Sequence, residues 1–259
     1  MSEALDKLGM VNRLEAAQRL RAMTPARVGL GRSGVSQLTS DVLSFQMSHA
    51  QARDAVHARL DAGALADAIG AATSMKAPDI LRFHSAAGDR AEYLQRPDLG
   101  RRLDESSRVE LAKHANAGTD LALVIADGLS ALAVERHVTP LLECLLPRLD
   151  GRKIGPVCIV EQGRVAVGDE IGEALRARVS MVLIGERPGL SSPDSLGAYI
   201  TWEPRAGRTD AERVCISNIR REGLGYDEAA EQLERTVSEA FERRLTGVAP
   251  RSERALPEG

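Results

Sequence analysis

The sequence predicts an α/β fold: a Rossmann-like parallel sheet flanked by helices, with an N-terminal helical segment. Short apolar runs alternate with stretches of helical period from Asp104 onward, the pattern of strands joined by crossover helices. The clearest run, Leu121 to Ala126, is apolar at every position and ends in Asp127-Gly128, as a strand buried on both faces does when it enters a turn. Before Asp104, apolar residues recur mainly at helical spacing.

In chain order, Leu5, Leu8, Val11, Leu14, Ala17 and Leu20 mark an amphipathic helix weakly interrupted by Gly9 and closed by Thr24-Pro25. Thr39 and Ser40 are N-cap candidates for a second helix, with Asp41 in the first turn where the dipole favours an anion. Val42, Phe45, His49, Ala52, Val56 and Leu60 line one face of it. Between Ala62 and Arg102 the signals are mixed: alanine-rich helical stretches give way to an ordered loop around Gln95 to Arg102.

A helical segment at Asp104 to Ala117 precedes the Leu121 strand. There follow a helix from Ser130 to Leu146, a strand around Pro156 to Val160, a helix from Asp169 to Arg178 and a strand from Val179 to Ile184. Right-handed crossovers place the turns at Asp127, Glu161 and Gly185 along one edge of the sheet, where such folds bind ligands. Leu196 to Trp202 and Val214 to Ser217 read as short extended pieces, and Tyr226 to Leu245 as a closing helix with Asp227 and Glu228 in its first turn. The chain thus divides into residues 1–103 (helical and loop), 104–246 (the α/β domain) and 247–259, a tail without apolar period.

The 259 residues are 43% hydrophobic and 27% charged with only 3% aromatic, the composition of a globular domain with a sizeable core. A net charge of −3 supplies no basic field for nucleic acid. No apolar run approaches the ~20 residues of a membrane span, and the start Met1-Ser2-Glu3 lacks a secretory layout. Cys144, Cys158 and Cys215 are odd in number and unpaired by motif, which fits a reducing cytosol and argues against structural zinc.

Gly29-Leu-Gly-Arg-Ser-Gly34 matches G-x-G-x-x-G, but no buried strand precedes it and the acid at the expected offset, Asp54, lies within a helix. A tight loop is the expectation, and a nucleotide enzyme built on it is the rival reading. His49, Arg53 and His57 share one helical stripe, too far apart for one metal without a third ligand, and read as a helix face meeting another surface. No nucleophile elbow, P-loop or triad is present. Unusual residues instead gather at the ligand edge: Gly163-Arg164-Val165, then Gly185 through Leu196, then Cys215 through Ile219. Glu186, directly after a strand, can accept hydrogen bonds from a ligand's amides, or pair with Arg187 or Arg164. Cys215 between Val214 and Ile216 has by itself the setting of a small buried hydrophobe, and Val165 that of a turn residue.

At these same places the sequence resembles the ethanolamine ammonia-lyase light chain family. The strings are Ala26-Arg-Val28 with Gly31-Arg-Ser-Gly34; Arg96-Pro-Asp-Leu-Gly-Arg-Arg-Leu103; Asp127-Gly-Leu-Ser130; Gly163-Arg-Val165; Asp169-Glu-Ile-Gly-Glu173; Gly185-Glu-Arg-Pro-Gly-Leu190; and Cys215-Ile-Ser-Asn-Ile219, in family order. The resemblance implies a light (small) subunit that assembles with a heavy chain, with the contact expected through residues 1–103. The heavy chain's adenosylcobalamin-dependent radical chemistry converts ethanolamine to acetaldehyde and ammonia. It implies cobalamin contacts at Val165, Glu186 and Cys215, no catalytic residue or metal ligand on this chain, and no activity for the chain alone. No Asp-x-His-x-x-Gly is present, His137 being followed by Val138-Thr-Pro140, which agrees with cobalamin keeping its own base on cobalt. Some members carry a longer extension before the Ala-Arg-Val string that addresses a bacterial microcompartment; the short stretch here leads to the cytoplasm as the expected location, with the microcompartment as the alternative. A purely structural scaffold is the third reading.

Overall fold

The computed structural model describes residues 15–24, 26–73, 80–115 and 118–248. They form two compact units. One comprises the described residues up to Asp54 together with Gly189–Pro193, and the other comprises the remainder from Ala55.

In the first unit residues 15–23 are helical (α1) and end before Thr24, where the sequence predicts; residues 5 to 14 of that predicted helix lie outside the described residues. Gly29 to Gly34 leads into a two-stranded hairpin, β1 (Arg32–Ser33) and β2 (Ser36–Gln37), whose turn places Gly34 at φ +63°. That is the left-handed backbone a two-residue hairpin turn requires. α2 (Thr39–His57) follows, with the Val42 amide bonded to Leu38 O, so the helix starts one residue earlier than the predicted caps. Asp41 faces back to accept from the Gly31 amide at 3.1 Å. The face predicted as apolar is not a buried one: Ala55 is the buried residue of α2, and Phe45 is 45% exposed. Leu60 is buried, but it lies beyond the helix.

The second unit carries a six-stranded sheet of order β3-β5-β4-β6-β7-β8. Its strands are β3 (Ile80–His84), β4 (Leu121–Ala126), β5 (Val157–Glu161), β6 (Val179–Gly185), β7 (Leu196–Trp202) and β8 (Arg213–Ile219). The α/β class is as predicted, and the sheet is parallel from β3 to β6. β7 and β8, read in the sequence only as short extended pieces, add to it antiparallel, a departure from a purely parallel sheet. The reason lies in the connections: Glu186–Ser195 and Glu203–Glu212 hold no α-helix, and a parallel return needs a long crossover that is usually helical. β3, in the stretch predicted to be helical and loop, is a second departure; the sheet-bearing unit therefore takes in much of residues 1–103.

β4 shows why the sheet is central. Leu121, Leu123 and Ile125 enter one core, beneath α3 (Ala62–Ala72), α6 (Ala131–Leu145) and α8 (Tyr226–Arg243). Ala122, Val124 and Ala126 enter the other, beneath α5 (Glu105–Ala112) and α7 (Val167–Ala174), so alternation at period two fills both faces. Ser130 caps α6 by accepting from the Ala133 amide, and Val134, Val138, Leu141 and Leu145 give that helix its buried stripe. α8 buries Ala229, Leu233, Val237 and Ala240 by the same spacing. No helix among the described residues is long and apolar enough to cross a membrane.

Candidate functional site

The parallel strands deliver three turns to one edge: Asp127-Gly128 after β4, Gln162 to Val165 after β5, and Gly185-Glu186 at the end of β6. Two of them are pressed together through backbone. The Leu129 amide donates to Gly185 O at 3.0 Å, and Gly128 sits at φ +57°. A methyl group on Gly185 would lie 2.0 Å from Ser130 O and 2.5 Å from Asp127 O; on Gly128 it would lie 2.3 Å from Gly185 O. Only glycine fits either place. Around this seam opens a cavity of about 450 Å³ lined by Tyr93, Leu129, Arg164, Val165, Glu186 and Tyr199, among others.

Beneath the cavity lies a buried polar cluster. Asp127 is fully buried and accepts from the Gly163 amide at 3.1 Å and from Arg90 Nη1 at 3.3 Å. Arg90, on α4 (Arg90–Gln95), also donates to Gly128 O, to Gln162 Oε1 and, through Nε, to Val56 O. Tyr93 follows one turn later and its hydroxyl donates to Gly163 O at 3.0 Å, so one short helix holds the turns after β4 and β5. Loss of water pushes the Asp127 carboxyl up to about 6, against the pull of the Arg90 charge and the amides of Gln162 and Gly163.

The sign of the pH effect follows. Because its folded value lies above the ordinary value of about 3.9, Asp127 favours the fold fully below that pH, and the contribution is lost as pH rises through about 6. Carboxyl-carbon NMR of the labelled protein is expected to give an Asp127 midpoint near 6. A midpoint at the ordinary carboxylate value would contradict the burial described here.

Of the residues singled out in the sequence, Val165 and Glu186 line the cavity. Val165 is half-buried where the chain turns into α7. Glu186 is half-buried and its Oε2 accepts from the Asn218 amide at 3.1 Å. It forms no ion pair with Arg187 or Arg164, the alternative its position also allows. Asn218 holds φ +60°, and this left-handed turn at the end of β8 aims its amide at Glu186.

Cys215 is not in a loop. It stands within β8, exposed rather than buried as its apolar neighbours suggest, and outside the cavity lining. Register places it opposite Tyr199, which in turn pairs with Val182, so the thiol reaches the cavity's wall only through Tyr199. Although the residue as a whole is exposed, partial loss of water around the sulfur raises the Cys215 thiol, partly offset by its hydrogen bond with the Tyr199 side chain. The sequence reading missed Tyr199, Tyr93 and Arg90; the first was legible as an isolated aromatic in an apolar strand, the others carry no local signal. His49 stacks on Phe45 at 6.2 Å in the first unit, a helix-face contact. His137 Nδ1 meets the Tyr226 hydroxyl at 2.8 Å between α6 and α8. Among the described residues no cluster of His, Cys, Asp and Glu could hold a metal ion.

The family model for the ethanolamine ammonia-lyase light chain (EutC) matches residues 14–251. The ethanolamine ammonia-lyase small subunit of Pseudomonas aeruginosa strain LESB58 is 57% identical over 234 residues, covering 88% of this chain and 84% of that protein. Its counterpart in Azotobacter vinelandii is 56% identical over 242 residues (91% of this chain, 88% of that one). That of Xanthomonas campestris pv. campestris is 53% identical over 249 residues (94% and 90%).

Proposed function

The chain belongs to the ethanolamine ammonia-lyase light chain family, and from that premise we propose that it is the small subunit of an adenosylcobalamin-dependent ethanolamine ammonia-lyase, holding one side of the cofactor against a catalytic heavy chain. When bound, adenosylcobalamin supplies the radical that starts the conversion of ethanolamine to acetaldehyde and ammonia. The light chain's part is to bind and orient.

The carrying observation is the cavity at the β4, β5 and β6 turns, with Glu186 at its rim free of any ion pair among the described residues. Its residues fit the cofactor. A half-buried carboxylate accepts from corrin side-chain amides, while Leu129, Val165 and Ile184 offer apolar contact to the macrocycle's edge. A volume of about 450 Å³ is that of a drug-sized site, far less than a whole corrinoid, which leaves most of the cofactor for the heavy chain to cover. Cys215 stands outside the cavity lining, opposite Tyr199 on β8, and a contact there requires the macrocycle to extend past Tyr199. Leu43, Phe45 and Met47 stand 59%, 45% and 63% exposed on α2, which supports heavy-chain contact through the N-terminal stretch.

The dinucleotide rival loses its footing in the hairpin at Arg32–Gln37, since no buried strand feeds Gly29. Co-purification with the heavy chain tests the proposal. The pair should retain adenosylcobalamin and turn over ethanolamine, and the light chain alone should do neither. In the pair, Glu186→Ala is expected to weaken cofactor retention at least about tenfold, the loss of one charge-assisted contact. Unchanged retention, measured by equilibrium dialysis, would reject Glu186 as a cofactor ligand.

A further inference from the structure

Arg164 lines the same cavity as Glu186 yet pairs with no carboxylate among the described residues. Its guanidinium lies 4.4 Å from the Tyr93 ring centroid, and its Nε is buried without a hydrogen-bond partner. Arg90 rests against the same ring at 4.9 Å, but Arg90 has Asp127 as its counter-ion. Thus two cations share one aromatic ring, and only one has an anion. A ring face contributes roughly 0.5–2 kcal/mol to a cation and does not replace the hydrogen bond that the buried Nε lacks.

Nor is Arg164 free to swing away. Its amide donates to Gly100 O at 2.7 Å. Gly100 packs so closely that a methyl group there would lie 2.9 Å from Arg164 Cγ and 2.7 Å from the Tyr93 ring. The backbone and the base of the Arg164 stem are therefore set before any ligand arrives, and the guanidinium rests on the Tyr93 ring at the cavity wall, where an anion can meet its planar donor fork.

We infer that Arg164 is the anion anchor of this cavity and that it takes the phosphodiester of the cofactor's nucleotide arm, an assignment that rests on the cobalamin reading above. The chemistry is complementary: Glu186 offers an acceptor to corrin amides, and Arg164 offers a cation to the one phosphate that adenosylcobalamin carries. The phosphate completes the donor fork that Tyr93 supports from below.

The test compares two ligands on the heavy–light complex by equilibrium dialysis: adenosylcobalamin, and adenosylcobinamide, which lacks the nucleotide arm and its phosphate. Arg164→Gln is expected to weaken adenosylcobalamin at least about tenfold and to leave adenosylcobinamide unchanged. Equal weakening of both, or of neither, overturns the assignment. Should Arg164→Gln fail to assemble, Arg164→Lys, which keeps a cation but not the flat fork, is scored in the same way. Glu186→Ala, run in parallel, should weaken both ligands, because both carry corrin amides. If it weakens neither, the cavity is not the cofactor's seat; if it acts while Arg164→Gln does not, the phosphate assignment alone falls.

Discussion

Arg213→Ala is expected to destabilise the protein by about 3–5 kcal/mol, lowering the thermal midpoint by roughly 10 °C or more. Arg213 opens β8 and reaches Asp169 with two bonds of 2.7 and 2.6 Å, both side chains being no more than 3% exposed. Thr201 Oγ1 and Arg208 O accept from the same guanidinium. Burial pushes the Asp169 carboxyl up, and the hydrogen bonds and charge of Arg213 pull it back. Removing the cation leaves a buried carboxylate without its hydrogen-bonded partner and with only the weaker pull of Arg208, which costs more than the pair itself contributes. Since Asp169 lies in the first turn of α7, just past Val165, the damage should extend to the cavity. Urea unfolding of the full-length variant measures the loss. A double variant, Asp169→Leu with Arg213→Met, should recover most of it; failure of the single variant to lose stability would mean the pair is solvated.

Gly185→Ala is expected to cost about 3 kcal/mol or more, an overpacking effect at the severe end because the obstructing atoms are main chain. The new methyl would meet Ser130 O at 2.0 Å and Asp127 O at 2.5 Å. Neither oxygen can rotate aside: Ser130 O accepts from the Ala133 amide and Asp127 O from the Ser130 amide. Relief requires parting the turns after β4 and β6, which breaks the Leu129 amide to Gly185 O bond and opens the cavity wall. The variant should unfold earlier and, once paired with the heavy chain, hold cofactor poorly. An alanine there with wild-type stability would show that the two turns are not in contact.

How far the sequence foretold this depends on what each residue's neighbours impose. β4 was legible to its ends because both faces are buried and every side chain is apolar, and α6 because Ser130 supplies its cap. β3 was hidden: Ile80-Leu-Arg-Phe-His is a one-sided edge strand, only Phe83 of it is buried, and a polar residue at every second or third place mimics a loop. Strand direction is likewise absent from composition, so Leu196–Trp202 could be read as extended but not as antiparallel. At the site, Val165 and Glu186 followed from the rule that ligands sit at the carboxyl ends of parallel strands, joined to the family resemblance. Cys215 falls inside the predicted extended piece Val214 to Ser217, whose apolar middle was legible, but the pairing of β8 runs on from Arg213 to Ile219 and carries Ser217 and Asn218 into the strand as well. Arg90 could not be foreseen, as it meets Asp127 across 37 residues and nothing in a helix of six residues announces that partner.

The glycine seam between the β4 and β6 turns also decides how such a binding wall can change over time. With Gly128 and Gly185 touching main chain to main chain, the spacing of these two turns is a constant, and lengthening or reshaping either one breaks the other. Descendants of this chain can therefore adjust the fit to a ligand only by exchanging what projects from the frame, at Arg164, Glu186 or Tyr199, while the frame itself is inherited whole.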